Sequence, residues 1–311
     1  MAMLFGKKIL ITGGAGMMGR PVAEMLAPDN EVWVSSLFDE FEQPVREALE
    51  AQGIKTVAWD MAREGVDSLP TDFTHVLHTA MLRETSSYDD SVETNGISVA
   101  RLMTHCRNAE SFVFVSTMGV YKRNARDYPY VETDALGGDH SSMGPYVVGK
   151  IASEGVARAL ARLYDLPTTI VRPNVIYGPY GWGGVPILFL KRMVEGQPIE
   201  APLDGENHCS LIHTDDIARF MPGFWAAASV PATVVNLGGD DVVTMPEYMG
   251  YVSEITGLPV EFVRSPTTRD TYVSDSTKRK ALVGPTQVDW RDGIRRTVEA
   301  HMPHLLKEKV G

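Results

Sequence analysis

The sequence predicts an α/β fold: a doubly wound parallel sheet with a smaller C-terminal substrate-binding lobe. Three observations carry this reading. Short apolar runs alternate with amphipathic helical stretches from the start of the chain to Pro173. A glycine-rich run follows the first apolar run directly, and glycine and proline become dense from Tyr177 to Pro186. Alternation of this kind buries a parallel sheet between two layers of helix.

Taken in order, Lys8 to Ile11 reads as a buried strand, about Met17 to Leu26 as a helix and Glu31 to Ser35 as a second strand. Phe41 to Gln52 reads as a helix, Thr56 to Trp59 as a third strand and His75 to Thr79 as a fourth. Asn95 to Asn108 reads as a helix, Ser111 to Ser116 as a fifth strand, Pro145 to Tyr164 as a long helix and Thr168 to Val171 as a further strand. Residues 1–173 form the expected dinucleotide-binding domain. Residues 174–311 form mainly the lobe, with about 211–240, including Val234 to Leu237, returning to the main domain.

The 311 residues are 44% hydrophobic and 22% charged, the balance of a soluble globular chain. A net charge of −11 disfavours phosphate backbones and anionic membranes, so no nucleic acid or membrane partner is expected. Cys106 and Cys209 form no CxxC pair, which argues against a disulfide framework or a zinc site and fits the cytoplasm. Met1 to Lys8 does not read as a signal peptide, and the apolar stretch Phe220 to Val235 is broken by Pro222, Gly223, Ser229 and Pro231.

Thr12-Gly13-Gly14-Ala15-Gly16-Met17-Met18-Gly19 joins the first strand to the first helix. A tight turn there needs residues without Cβ, so that backbone can approach a pyrophosphate. The helix then offers unpaired N–H groups and the positive end of its dipole. Gly13, Gly16, Met17, Met18 and Gly19 are therefore candidate phosphate contacts. At the end of the second strand the cofactor choice stays open. Ser36 follows Ser35 there, and no acid appears before Asp39. A Ser36 hydroxyl with Arg20 or Arg46 leans toward NADP, whereas Asp39 on the ribose would mean NAD. Asp60 and Met61, after the third strand, are placed to touch adenine.

Tyr146 and Lys150 lie four apart on the long helix and share a face. A cation beside a phenol stabilises the phenolate, so that tyrosine can act as general acid or base near neutral pH.

With Gly13/Gly16/Gly19, Ser116-Thr117-Met118-Gly119-Val120-Tyr121 and Tyr146-x-x-x-Lys150, the chain resembles the extended short-chain dehydrogenase/reductases, including the NAD-dependent epimerase/dehydratase family. The resemblance runs through His78-Thr79-Ala80, Asn95, Arg172-Pro173, Tyr177-Gly178-Pro179 and Leu211-Ile212-His213-Thr214-Asp215-Asp216. It implies a Rossmann-type fold and an enzyme that transfers a hydride at a secondary alcohol or ketone carbon of a small molecule. Tyr146 would be the acid/base, Lys150 would hold the nicotinamide ribose, and Thr117 would orient the substrate oxygen. Ala80, Asn95, Ser116 and Pro173 would line the cofactor. His213, Asp215 and Asp216 would be structural, and the family implies a homodimer through the Asn95 and Tyr146 helices.

Three departures bear on the substrate. Met118-Gly119 stands where sugar-nucleotide dehydratases carry an Asp-Glu pair, which argues against dehydration. Val175 stands where an asparagine contacts nucleotide in related enzymes, with Asn174 one residue early. Cys209, beside His208, replaces an arginine that binds nucleotide phosphate, although Arg192, Arg264 or Arg269 could compensate. Met81, Met118, Met143 and Trp182 suggest instead a partly apolar pocket; their plain reading is core filling. The leading expectation is net NAD(P)-dependent oxidoreduction. A nucleotide-sugar epimerase with retained NAD is the alternative, and a non-catalytic NAD(P) sensor a third reading.

Overall fold

The apolar runs of the first half become neighbours in one sheet. The computed structural model describes residues 4–83, 85, 87–138, 143–266, 268 and 271–307. In chain order the first elements are β1 (Lys8–Thr12), α1 (Gly19–Leu26), β2 (Glu31–Ser36), α2 (Gln43–Glu50), β3 (Lys55–Ala58), β4 (His75–His78), α3 (Tyr88–His105), β5 (Ser111–Val115), β6 (Pro129–Tyr130), α4 (Gly144–Leu163) and β7 (Thr168–Pro173). Then come β8 (Ile176–Tyr177), α5 (Val185–Val194), β9 (Ile199–Ala201), β10 (His208–Cys209), β11 (Ile212–His213), α6 (Thr214–Ala226), β12 (Thr233–Leu237), β13 (Val243–Thr244), α7 (Met245–Thr256), β14 (Phe262–Arg264), β15 (Val273–Ser274), α8 (Thr277–Val283) and α9 (Trp290–His301).

Seven strands pair in the order β12-β7-β5-β4-β1-β2-β3, all parallel. This is the Rossmann-type arrangement. Chain direction across the sheet reverses between β1 and β4, which opens a crevice at their carboxyl ends. Strand alternation sorts the core into two faces. Ile9, Ile11, Val34, Leu77 and Val113 pack toward α1 and α6, while Leu10, Val76, Phe112, Phe114 and Ile170 pack toward α3 and α4. Burial on both faces explains why these strands read as continuous apolar runs.

Helix α3 starts at Tyr88, a full two turns before the expected Asn95. Ser87 accepts a hydrogen bond from Asp90 N at 3.1 Å, and Asp89 and Asp90 sit at the positive end of the helix. The helix pairs closely with α4. A Cβ built on Gly149 would overlap Ser91 Oγ and come 2.9 Å from Ser91 O; one on Gly144 would overlap the Tyr88 hydroxyl. These glycines let the two helices approach and so fix where the amino end of α4 lies over the sheet.

Downstream of β7, helices α5, α7 and α9 close a separate core around Ile187, Leu190, Met249, Val252, Ile294 and Val298. Strand pairing ties it back at two places among the described residues. Strand β12 adds to the main sheet beside β7, with Asn236 opposite Arg172, and β15 pairs with β6.

A Gly149→Val substitution is expected to lower stability by about 1–3 kcal/mol through overpacking. Thermal denaturation measures this. An unchanged melting temperature would contradict the close α3–α4 contact.

Candidate active site

The glycine loop between β1 and α1 meets the end of β4. Gly13 has a φ of +65°, and a Cβ there would come 2.7 Å from Thr79 Oγ1 and 2.8 Å from Ala80 N. Both the backbone conformation and the close approach call for glycine. Gly16 differs. A Cβ on it would meet only Gly13 O, at 3.2 Å, and otherwise open space. Helix α1 begins without a side-chain cap and without an acidic residue in its first turn. In contrast α3, α6, α7 and α9 all carry side-chain caps and acidic first turns. The uncapped N–H groups and the room above Gly16 fit an anionic pyrophosphate. Met18 is buried in the core and Met17 packs against Gly181, so these two residues offer backbone rather than side chain.

His78 lies behind the loop. Its Nδ1 is 2.7 Å from Thr12 Oγ1, and burial pushes its pKa down to about 3, with the Lys150 charge acting the same way. The imidazole is neutral in the folded protein.

Lys150 reaches the same end of the sheet from α4. Only 2% exposed, it donates from Nζ to Val115 O at 2.6 Å, the last carbonyl of β5. Burial lowers its pKa to about 7, and Glu154 opposes that shift. Two residues beyond Val115, Thr117 Oγ1 accepts a hydrogen bond from Gly119 N at 3.2 Å. With its oxygen used as acceptor, the Thr117 hydroxyl proton is available to donate. Tyr146 lies one helical turn before Lys150, half-buried near the amino end of α4. Ser116 Oγ, between Val115 and Thr117, is buried with no hydrogen-bond partner among the described residues. Pro173 ends β7 beside Leu237.

Several of the expected contacts also have local duties. Asn95 accepts from Leu82 N at 2.8 Å and donates to Leu82 O at 3.1 Å and Ser91 O at 2.9 Å. It thereby pins the segment after β4 onto α3. Asp60 accepts from Ala62 N at 2.9 Å within its own turn, and Met61 is buried in the core. Asp39 accepts from Phe41 N and Glu42 N, turning the chain toward α2, while Ser36 is half-buried at the end of β2. His213, not an aspartate, caps α6, by accepting from Asp215 N at 3.1 Å.

On the substrate side, Met118 is 1% exposed and packs with Tyr121 and Tyr130, so it is a core filler rather than a pocket wall. Asn174 donates to Tyr272 O at 2.7 Å and to Met118 Sδ at 3.2 Å. Met81 and Met143 are partly buried. Trp182 is 42% exposed, with the Arg83 guanidinium 5.4 Å over its ring. The loop carrying Trp182 also rests on α1: Tyr180 donates to Glu24 at 3.1 Å and stacks with Arg20. Cys209 is buried, facing Val243 O at 3.7 Å. Arg264 donates to Pro202 O, Gly205 O and Glu206, which occupies it in shaping a loop. Arg269 lies outside the described residues.

Sequence reading missed one buried network. Arg172 donates to both oxygens of Glu154, at 2.8 and 2.7 Å, and to the Tyr121 hydroxyl at 2.8 Å. Tyr121 donates in turn to Asn236 Oδ1 at 2.6 Å, and Asn236 donates to Tyr130 O. The available signal was a charge set between the apolar pair Ile170-Val171 and Pro173, in a strand buried along its whole length.

Two outcomes test this geometry. Gly16→Ala should nearly preserve the melting temperature yet weaken dinucleotide binding at least about tenfold in calorimetric titration, roughly 1.4 kcal/mol; Gly13→Ala should lose both. For His78, whose folded pKa is depressed from 6.5 to about 3, the unfolded chain takes up a proton that the native state refuses. Stability should therefore fall as pH drops from 6.5 toward 3. In a His78→Gln variant this fall should be shallower in denaturant titrations between about pH 6.5 and 5.

A family model described as the NAD dependent epimerase/dehydratase family matches residues 9–238. The chain is 25% identical to a trifunctional UDP-glucose 4,6-dehydratase/UDP-4-keto-6-deoxy-D-glucose 3,5-epimerase/UDP-4-keto-L-rhamnose-reductase of Arabidopsis thaliana, over 94% of this chain and 47% of that protein, so it spans about half of that relative. Among solved structures, UDP-glucose 4-epimerase from Thermotoga maritima is 26% identical with a TM-score of 0.75, covering 96% of this chain and 99% of that one. UDP-glucuronic acid 4-epimerase from Bacillus cereus, 20% identical, has a TM-score of 0.82 over 94% and 98% of the two chains. The chain belongs to the NAD-dependent epimerase/dehydratase family and is an enzyme of the extended short-chain dehydrogenase/reductase type.

Proposed function

We propose that this enzyme carries out net oxidoreduction at a secondary alcohol or ketone carbon of a compact small molecule, with Tyr146 as general acid/base. The observation that carries the reading is the position of Lys150: its Nζ is fixed on Val115 O, at the strand end that also presents Thr117, next to β4, whose own end meets the glycine loop. A bound nicotinamide dinucleotide supplies the hydride chemistry. Gly13, Gly16, Met17, Met18 and Gly19 would hold its pyrophosphate. Ser36, Asp60 and Met61 would meet the adenosine half, and Ala80, Asn95, Ser116, Lys150 and Pro173 would surround the other half. In our reading the Thr117 hydroxyl donates to the substrate oxygen, and the Tyr146 phenol gives or takes its proton. A positive Lys150 favours the phenolate.

The buried Cys209 and the committed Arg264 support a substrate without a nucleoside diphosphate. Met81, Met143, Asn174 and Trp182, with Met118 behind them, would then shape a partly apolar pocket. Nucleotide-sugar epimerisation is the second reading. The Thermotoga relative, solved with UDP-glucose, favours it, as does Arg192, whose buried Nε has no partner among the described residues.

For the cofactor we favour NAD over the NADP suggested by Ser36. A 2′-phosphate would need Arg20 or Arg46, and these are already paired with Glu24 and Glu50 at 2.8 and 3.0 Å. We also propose a homodimer through the outer faces of α3 and α4, where Ile97 and Leu163 are exposed. Buried, unpaired Cys106 and Cys209 suit a cytoplasmic setting. Residues 1–173, with about 211–240, would serve the dinucleotide, and the remainder the substrate.

Titration of the purified protein with NAD, NADP, UDP, dTDP and UDP-glucose tests both levels. Cofactor binding with no response to the nucleotides is expected; clear UDP binding would put the epimerase reading ahead. Tyr146→Phe should keep NAD affinity within about twofold while lowering turnover about 100-fold or more, the range of general acid–base catalysis.

A further inference from the structure

Lys150 and Glu154 are one helical turn apart on α4, and both are buried, at 2% and 1% exposure. Such a pair at i and i+4 would ordinarily close on itself, drawing the ammonium along the helix. Here the two side chains part company. Glu154 turns both oxygens to Arg172 on β7, at 2.8 and 2.7 Å, while Lys150 turns to Val115 O on β5. Arg172 is itself held from the far side by the Tyr121 hydroxyl and Glu132 O, so it cannot follow Glu154 back toward Lys150.

Among the described residues, the other groups around the ammonium supply no negative charge. From β4, His78 is neutral. From β5 come the Phe114 ring, 5.1 Å away, and Val115 O. From α3, the residues packed on neighbouring Gly149 are Ser91 and Asn95, neither of which titrates. On α4 itself the titratable neighbours are Tyr146 and Glu154, and beyond Glu154 stand Arg172 and the more distant Arg158, 3.8 Å from Glu154. Among the described residues, Glu154 is thus the carboxylate placed to neutralise Lys150.

We propose that Arg172 is a positioning residue: by taking both oxygens of Glu154 it keeps that carboxylate off Lys150 and leaves the ammonium at the strand end, available to a ribose hydroxyl and to Tyr146. This rests on the reading of Lys150 as the cofactor-facing lysine. The pair would then govern a charge that it never touches. Burial draws Lys150 down to about pH 7 even with Glu154 opposing the shift, so the strength of Glu154's influence bears on whether the ammonium is charged.

The test reads Lys150 directly. Lysines labelled with carbon-13 at Cε are titrated by NMR in the protein without cofactor, with the Lys150 signal assigned by its loss in Lys150→Arg. In Arg172→Met, Glu154 is released, and the Lys150 midpoint should rise by at least about one pH unit, with NADH affinity falling at least about tenfold. Removing one partner of a buried pair is strongly destabilising, so that variant can fail to fold. Glu154→Gln is the second arm: it should move the midpoint down, because the opposing carboxylate is gone. The double variant Glu154→Gln/Arg172→Met, with neither charge, should return toward the wild-type value. Midpoints unchanged in Glu154→Gln, or in a folded Arg172→Met that loses only melting temperature, would overturn the proposal. If Lys150→Ala instead binds NADH with wild-type affinity, the cofactor-facing role of Lys150 fails, while the titrations still decide whether Arg172 sequesters Glu154.

Discussion

Burying an ammonium group is costly, and much of this structure is arranged around one. Lys150 can sit inside the protein because its charge leans on a main-chain carbonyl at the end of a central strand. That contact demands a helix held very near the sheet. The glycines at 144 and 149 allow α3 to lie close beside α4, and Asn95 in turn ties the chain after β4 to α3. The end of β4 then meets the glycine loop at Gly13. One buried charge therefore constrains two helices, two strand ends and the loop between β1 and α1.

A second polar system crosses the same region without touching the crevice. Arg172, Glu154, Tyr121 and Asn236 bring together α4, β7, β12 and the segment after β5. Each member has a hydrogen-bonded partner, as a buried ionic group must. Because Asn236 also donates to Tyr130 O, and β6 pairs with β15, the network extends to the connection between sheet and lobe. The attachment of the lobe and the placement of α4 thus share one hydrogen-bonded network.

The fold and the catalytic candidates were legible where the signal is local. The strand–glycine–helix junction at Gly13 to Gly19 and the four-residue spacing of Tyr146 and Lys150 can be read from neighbouring letters. The start of α3 was missed because its first turns carry polar residues rather than an apolar stripe, although Ser87 with Asp90 is a capping signal. Met118 reads from its neighbours as a pocket residue but is buried among tyrosines, and Asn95 holds contacts to Leu82 and Ser91 that its position in the chain does not announce. What each contacts depends on segments brought together only by folding, as with Met118 among the tyrosines. The Arg172 network is the extreme case: its members lie 18, 51 and 115 residues apart, a separation that no periodicity encodes.

The position of β12 has a consequence for how the molecule is made. Strand β7 ends at Pro173, but its outer neighbour is not reached until Thr233 to Leu237, after much of the lobe has been threaded. During synthesis, Ile170 and Val171 belong to an open, apolar edge for as long as some sixty residues remain unmade. Such an edge is a template for pairing with another chain. Arg172 puts a charge in that strand, and a charge on an exposed edge disfavours pairing with another chain.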